Sequence, residues 1–128
     1  MDYQRKKNNK YILPAALYNQ VIWLIRDYYR LREEANNLLY SDGMSMDGLP
    51  RGNKLSNETE LKAMKREDLM RKINTINKER DKIPGEYRQG VWDNIMYRTA
   101  YPPDADRTTY ARYKSRFIYG IAKALFWI

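Results

Sequence analysis

The spacing of apolar residues along the chain predicts long helices and no strands. Between Pro14 and Tyr40 the apolar positions alternate steps of four and three residues, at Leu17, Val21, Leu24, Tyr28, Leu31, Ala35 and Leu38. Such a heptad seam is typical of a helix that packs lengthwise against another helix. The pattern therefore predicts one continuous first helix from about Pro14 to Tyr40, with Pro14 in its first turn.

A second amphipathic stretch follows a segment that breaks helices. Residues 41–56 contain Gly43, Gly48, Pro50 and Gly52 and are predicted to form a loop. Ser56, followed by early acidic residues, predicts a capped second helix over residues 57–83. Its apolar positions are Leu61, Met64, Leu69, Ile73, Ile76 and Ile83. Two such helices joined by a loop are expected to pair antiparallel, as a long hairpin over residues 14–83.

Two further helices are predicted after this hairpin. Pro84 and Gly85 end it and begin a third helix, from about Gly85 to Arg98, with Tyr87, Val91, Trp92, Ile95 and Met96 buried. A stiff turn with two prolines leads to Asp106, which can cap a fourth helix over residues 107–126. The predicted fold is therefore all-α: a basic, mobile tail (1–13), a long antiparallel helical hairpin (14–83) and a small C-terminal helical module (84–128).

The charge distribution suggests a polyanionic partner. The chain has 24 basic and 16 acidic residues, for a net charge of +8, and its last 22 residues contain basic side chains and no acid. A positive tail and an acid-free last helix favour nucleic acid as the partner, although the same charge could serve solubility alone.

Several function classes are disfavoured by what the chain lacks. It contains no histidine and no cysteine, which removes imidazole and thiolate groups for catalysis and for metal binding. We therefore expect a binding protein without enzymatic activity, cofactor or metal. No apolar run exceeds Val21–Ile25, so we expect no membrane span, and the absence of cysteine suits a reducing cytoplasm.

The last predicted helix has a basic face opposite an apolar face. At about 3.6 residues per turn, Arg112, Arg116 and Lys123 share one side. The opposite side contains Tyr110, Phe117, Ile121, Ala124, Leu125 and Ile128, and also Lys114, whose amine must extend toward solvent. The candidate DNA-binding residues are Arg107, Thr108, Thr109, Arg112, Tyr113, Arg116, Tyr119 and Lys123. Arginine suits phosphates and guanine edges, and hydroxyl groups can bind phosphates.

This helix has three interpretations. It could be a recognition helix, a membrane-surface helix anchored by Phe126, Trp127 and Ile128, or a helix with an ordinary solvated face. The capped start, early hydroxyl groups and outer arginines favour the recognition helix.

Six segments carry a resemblance that covers roughly Leu31–Ile128: residues 48–52, 56–60, 65–73, 83–88, 109–114 and 117–122. They resemble phage late-transcription regulators of the RinA and ArpU type, which are similar to the helix-turn-helix of sigma factors. A sigma-type module has a short helix before its recognition helix, whereas residues 99–106 contain two prolines, so that helix is either missing here or supplied by Gly85–Arg98. The resemblance implies a DNA-binding regulator of transcription in a phage or prophage, with double-stranded DNA and host RNA polymerase as partners.

A protein-interaction module is the alternative. The predicted hairpin is longer than a small C-terminal module needs as support. Its apolar seam could bind a protein partner, as in a small phage inhibitor or adaptor, or it could close a homodimer.

Overall fold

The computed structural model describes Gln4, residues 6–43 and residues 53–128. Over these ranges the chain forms helices and no strand, which confirms the all-α class. The helices are α1 (Ala15–Arg26), α2 (Tyr28–Gly43), α3 (Asn53–Asp81), α4 (Gly85–Tyr97) and α5 (Arg107–Ala124).

The predicted continuous first helix is wrong, because the chain breaks at Asp27 between α1 and α2. Asp27 has φ −86° and ψ 1°. Its N–H donates to the carbonyl oxygens of both Trp23 and Leu24 at 3.1 Å, so the last turn tightens toward the 3₁₀ pattern. Such a one-residue departure needs neither glycine nor proline, and the heptad spacing continues through it.

The predicted loop over residues 41–56 is too long at both ends. Helix α2 continues to Gly43 and α3 begins at Asn53, while residues 44–52 lie outside the described part of the chain. The predicted cap at Ser56 is wrong, since Ser56 lies inside α3. Lys54 and Leu55, which precede Ser56, are good helix formers, so α3 can begin before Ser56 and before the acidic residues that follow it.

The chain divides into two compact units, and the first combines residues 1–27 with residues 75–128. In this unit α1, α4 and α5 pack against one another. The Arg26 Nε donates to the carbonyl oxygen of Ile95 at 2.8 Å, which ties α1 to α4. The sequence predicts α1 as part of the hairpin. However, Tyr18, Ile22 and Ile25 are buried beside the seam residue Val21, so the apolar face of α1 is wider than one helix partner can cover.

The second unit spans residues 28–74 and contains α2 with the first part of α3. It buries Leu31, Ala35, Leu69 and Ile73. Lys65 Nζ lies 3.0 Å from the carboxylate of Glu34. The predicted seam is not buried along its whole length, because Leu61 and Met64 are 64% and 60% exposed. The antiparallel hairpin over residues 14–83 stays a prediction.

The C-terminal helices begin close to where the sequence predicts. Helix α4 follows Pro84 and ends at Tyr97, after which Arg98 adopts a left-handed conformation with φ 57°. Its buried side chains include Val91, Trp92 and Ile95, whereas Tyr87 and Met96, predicted to be buried, are half-buried. The Asp106 carboxylate accepts a hydrogen bond from the Thr108 N–H at 3.4 Å, which confirms the predicted cap of α5.

The predicted apolar face of α5 is buried except at its C-terminal end. Tyr110, Phe117, Ile121 and Leu125 are buried, while Ala124 and Ile128 are exposed. The prediction fails there because α5 ends at Ala124 and Phe126 takes a left-handed conformation, with φ 60°. Lys114 lies on the inward side but donates to the Asn94 side-chain oxygen at 2.8 Å.

Candidate nucleic-acid interface

The N-terminal segment, defined as Gln4 and residues 6–13, packs against α5. The Gln4 side chain accepts a hydrogen bond from the Leu13 N–H at 2.9 Å and donates to the Leu13 carbonyl. Leu13 is buried, and the Asn9 Nδ2 donates to the Ser115 Oγ of α5 at 3.3 Å. The sequence predicts a mobile tail here, but polar and apolar contacts connect this segment to a helix about a hundred residues away.

Tyr11 is the aromatic contact between the N-terminal segment and α5. Its ring meets Tyr119 edge-on, with ring centroids 5.4 Å apart. The cations of Lys10 and Arg116 lie 5.4 and 5.8 Å from the Tyr11 ring centroid. Edge-on aromatic pairs and cation–π contacts are both attractive, so Tyr11 holds the segment against the basic side of α5.

The path of the N-terminal segment depends on two asparagines. Asn8 has φ 54°, in the left-handed region that asparagine tolerates better than most residues. The Asn9 side-chain oxygen accepts the Tyr11 N–H at 2.9 Å, as in turns in which asparagine bonds to the backbone two residues ahead. The Asn8-Asn9 pair was the sequence signal for this turn.

The packed segment and α5 form the two walls of a groove of about 800 Å³, here called the basic groove. Lys6, Lys7 and Lys10 line it from the segment, and Arg112 and Arg116 line it from α5. Asn8, Asn9, Tyr11, Thr109, Ala111, Tyr113 and Ser115 complete the lining, which includes no acid among the residues the structure describes. A concave surface lined by one sign of charge concentrates counter-charged ligands.

A second groove of about 1130 Å³ adjoins the first and shares Lys6 and Lys7 with it. Arg107 and Thr108, from the first turn of α5, line this second groove, together with Asp106. Thus Lys6 and Lys7 of the N-terminal segment border both grooves.

The structure brings together most of the DNA-binding residues that the sequence predicts. Thr109, Arg112, Tyr113 and Arg116 line the basic groove. Arg107 and Thr108 line the second groove. Two predicted residues lie elsewhere. Lys123 is exposed on α5 but lines neither groove, and Tyr119 contacts Tyr11.

Tyr113 and Tyr119, the two tyrosines among the predicted DNA-binding residues, have intramolecular contacts. Tyr119 meets Tyr11 edge-on, and the Tyr113 ring stacks on Tyr87 with centroids 5.2 Å apart. Both are half-buried. They therefore shape the groove and its support, and the cations are the groups most accessible to a ligand.

The basic groove contains cations that no acid of the described residues pairs with. Lys6, Lys7, Lys10, Arg112 and Arg116 form no ion pair with an acid in the described parts of the chain. On α3, by contrast, Asp68 lies 3.1 Å from Arg71 and 3.2 Å from Lys72, and these cations hold the pKa of Asp68 below its usual range, chiefly through the hydrogen bond from Lys72. The groove cations are thus available to an external anion.

An aromatic cluster joins α5 to α4 and to the turn that precedes α5. The fully buried Tyr110 stacks on Tyr101 with centroids 5.1 Å apart and meets Tyr87 edge-on at 5.4 Å. Its hydroxyl donates to the Asp104 carboxylate at 2.5 Å. This hydrogen bond raises the pKa of Tyr110 to about 12, with burial and the Asp104 charge adding to the shift. The cluster fixes the helix that presents Arg112 and Arg116.

Sequence reasoning missed the lysines of the N-terminal segment as site residues. The sequence assigns Lys6, Lys7 and Lys10 to a basic tail, because nothing in their spacing indicates which part of the protein this segment packs against. A positive charge excess at both chain ends was the one available signal.

No cluster of metal-ligating side chains occurs over residues 6–43 and 53–128 or at Gln4. No helix in this described part is long and apolar enough to cross a membrane. Comparison with protein-family models, with curated proteins and with solved structures finds no match for this chain.

Proposed function

We propose that this protein binds double-stranded DNA through α5 and the N-terminal segment, and that it regulates transcription in a phage or prophage. The DNA-binding part rests on one observation: the basic groove gathers five cations with no acid from the described residues. The regulatory part rests on the resemblance to the RinA and ArpU regulators, which also suggests host RNA polymerase as a further partner. Such a protein acts in the cytoplasm.

The geometry of α5 suits a long polyanion. The helix has 18 residues and is therefore about 27 Å long. Arg112 and Arg116 are both exposed and stand one turn apart. Lysine and arginine side chains that neutralise phosphates supply most of the affinity of DNA-binding proteins, and they make that affinity depend steeply on salt. We propose no catalysis, since the chain has neither histidine nor cysteine to supply the usual nucleophiles and bases.

The test compares the DNA affinity of the parent protein with that of the double variant Arg112→Ala/Arg116→Ala. We expect parental affinity to fall steeply with rising salt, and the double variant to bind at least about tenfold more weakly. Its thermal melt should stay nearly unchanged, because both side chains are exposed and because the lost contact of Arg116 with the Tyr11 ring is opposed by the relief of repulsion between the groove cations. The packing control on the same helix is Phe117→Ala, which should lower the free energy of unfolding by about 3–5 kcal/mol. If the double variant binds DNA as tightly as the parent, the proposal fails.

A protein-interaction role is the second candidate, and one observation favours it. Leu61 and Met64, one turn apart on α3, are 64% and 60% exposed, and Leu39 of α2 is 48% exposed. Exposed apolar side chains on long helices can bind a partner or a second copy of the chain. Two results together would favour this role over DNA binding. The parent would show self-association by sedimentation but no measurable DNA binding, and Leu61→Ser/Met64→Ser would abolish that self-association.

A further inference from the structure

The two walls of the basic groove come from opposite ends of the chain. Lys6, Lys7 and Lys10 belong to the N-terminal segment, and Arg112 and Arg116 belong to α5. The segment is held by the hydrogen bond from Asn9 to Ser115 and by the ring contact between Tyr11 and Tyr119. The groove exists because this segment is packed in place.

We infer that the basic groove holds the sugar–phosphate backbone of DNA, with the packed N-terminal segment as one of its two walls. The inference rests on the proposed DNA binding. It assigns Lys6, Lys7, Lys10, Arg112 and Arg116 to phosphates, so these residues contribute affinity without reading bases.

The size and lining of the groove support a repeating anion as its ligand. The groove has a volume of about 800 Å³ and is lined by five cations. One small anion would neither fill this volume nor neutralise these charges. Thr109 and Ser115 add hydroxyl groups to the lining, and hydroxyl groups commonly bind phosphate oxygens. Cations on two facing walls suit a charged strand that runs between them.

Packing of the segment has a consequence for affinity. A free basic arm loses conformational entropy when a ligand orders it, whereas a segment already held in place avoids most of that cost. Asn9 and Tyr11 are therefore positioning residues: they act on DNA binding through the lysines beside them.

The experiment separates the position of the lysines from their charge. Asn9→Ala/Tyr11→Ala keeps every charge and removes the contacts to Ser115 and Tyr119. Lys7→Ala/Lys10→Ala keeps those positioning residues and removes two charges. Binding to short duplexes of two unrelated sequences is measured between about 50 and 200 mM salt. We expect Lys7→Ala/Lys10→Ala to reduce the slope of log affinity against log salt by about two, equally for both sequences. We expect Asn9→Ala/Tyr11→Ala to keep that slope but to lower the affinity at every salt concentration by at least about fivefold, because the lysines keep their charge while the DNA must order the released segment.

Two controls accompany these variants. Lys65→Ala/Lys78→Ala removes the same charge from α3, where both side chains are exposed, and should keep the parental slope. Tyr11→Phe keeps the ring that meets Tyr119 and should bind as the parent does. Helix content and the thermal melt show whether each variant is folded, and Tyr11→Ala alone replaces the double variant if that one does not fold.

Four results would overturn the inference. A parental affinity for folded Asn9→Ala/Tyr11→Ala would mean that packing of the segment adds nothing to DNA binding and that the segment acts as a free arm. A parental slope for Lys7→Ala/Lys10→Ala would exclude the groove from the site, and a loss confined to one DNA sequence would mean that bases are read. A parent protein without salt-dependent DNA binding would overturn the proposed function as well, so the two failures are distinguishable.

Discussion

Gly90 shows how a single missing side chain determines where α5 sits. A Cβ at this position would lie 2.6 Å from Tyr110 Cε1 and 2.9 Å from Pro102 Cδ. Both neighbours are rigid rings, and Tyr110 is fully buried, so neither can move aside cheaply. Replacing glycine by alanine inside a helix ordinarily stabilises it by roughly 0.5–1 kcal/mol. Here the steric overlap should reverse that sign.

We therefore expect Gly90→Ala to lower the free energy of unfolding by about 1–3 kcal/mol, as for other overpacked sites. Urea denaturation followed by circular dichroism measures the change. Gly85→Ala is the matched control, because a Cβ there meets nothing within 4 Å, and it should leave stability unchanged or raise it. Equal stability of Gly90→Ala and the parent would show that α4 and α5 are less closely packed than the structure indicates.

At the scale of elements, the junction between α3 and α4 depends on Arg88. Its guanidinium donates to the carbonyl oxygens of Arg80, Asp81 and Ile83 at 3.2, 3.1 and 2.9 Å. The last carbonyls of a helix lack partners within the helix and form the negative end of its dipole. One planar cation on α4 thus satisfies the end of α3 and fixes the angle at which the chain turns.

We expect Arg88→Lys to lower the free energy of unfolding by about 1–2 kcal/mol, since a single ammonium cannot reproduce three hydrogen bonds from one planar group. Thermal and urea denaturation measure the loss. The comparison variant is Arg112→Lys on α5, whose side chain is exposed and whose stability should match the parent. A fully stable Arg88→Lys would mean that solvent replaces these hydrogen bonds without cost.

At the scale of the whole molecule, the protein has a net charge of +8, and part of its positive charge is gathered in the basic groove. Five cations meet in the basic groove with no acid from the described residues. Their mutual repulsion opposes the packing of the N-terminal segment on α5, and dissolved salt screens that repulsion.

We therefore expect the melting temperature to rise when sodium chloride is increased from about 0.01 to 0.15 M, over which the Debye length shrinks from about 30 to 8 Å. Differential scanning calorimetry measures this rise. Lys7→Ala/Lys10→Ala should weaken the salt effect, because it removes part of the repulsion. A melting temperature that falls with salt would mean that ion pairs such as Glu34 with Lys65 outweigh the groove.

Local features of the chain were predictable to within a few residues. The break at Pro84, the Asp106 cap and the buried positions Tyr110, Phe117 and Ile121 all agree with the structure. The break at Asp27 was not predictable, because no glycine, proline or change of period marks it. The exposure of Leu61 and Met64 was not predictable either. An apolar period indicates which face of a helix is apolar, but not whether another part of the protein covers that face.

The sequence by itself determined the helical class, the positive charge and the basic face of α5. These follow from period, composition and capping, which act over a few neighbouring residues. Tertiary structure alone decided that α1 packs with α4 and α5, and that the N-terminal lysines lie beside Arg112 and Arg116. Those arrangements depend on contacts such as Asn9 with Ser115, 106 positions apart, and no periodicity records which distant surfaces fit together.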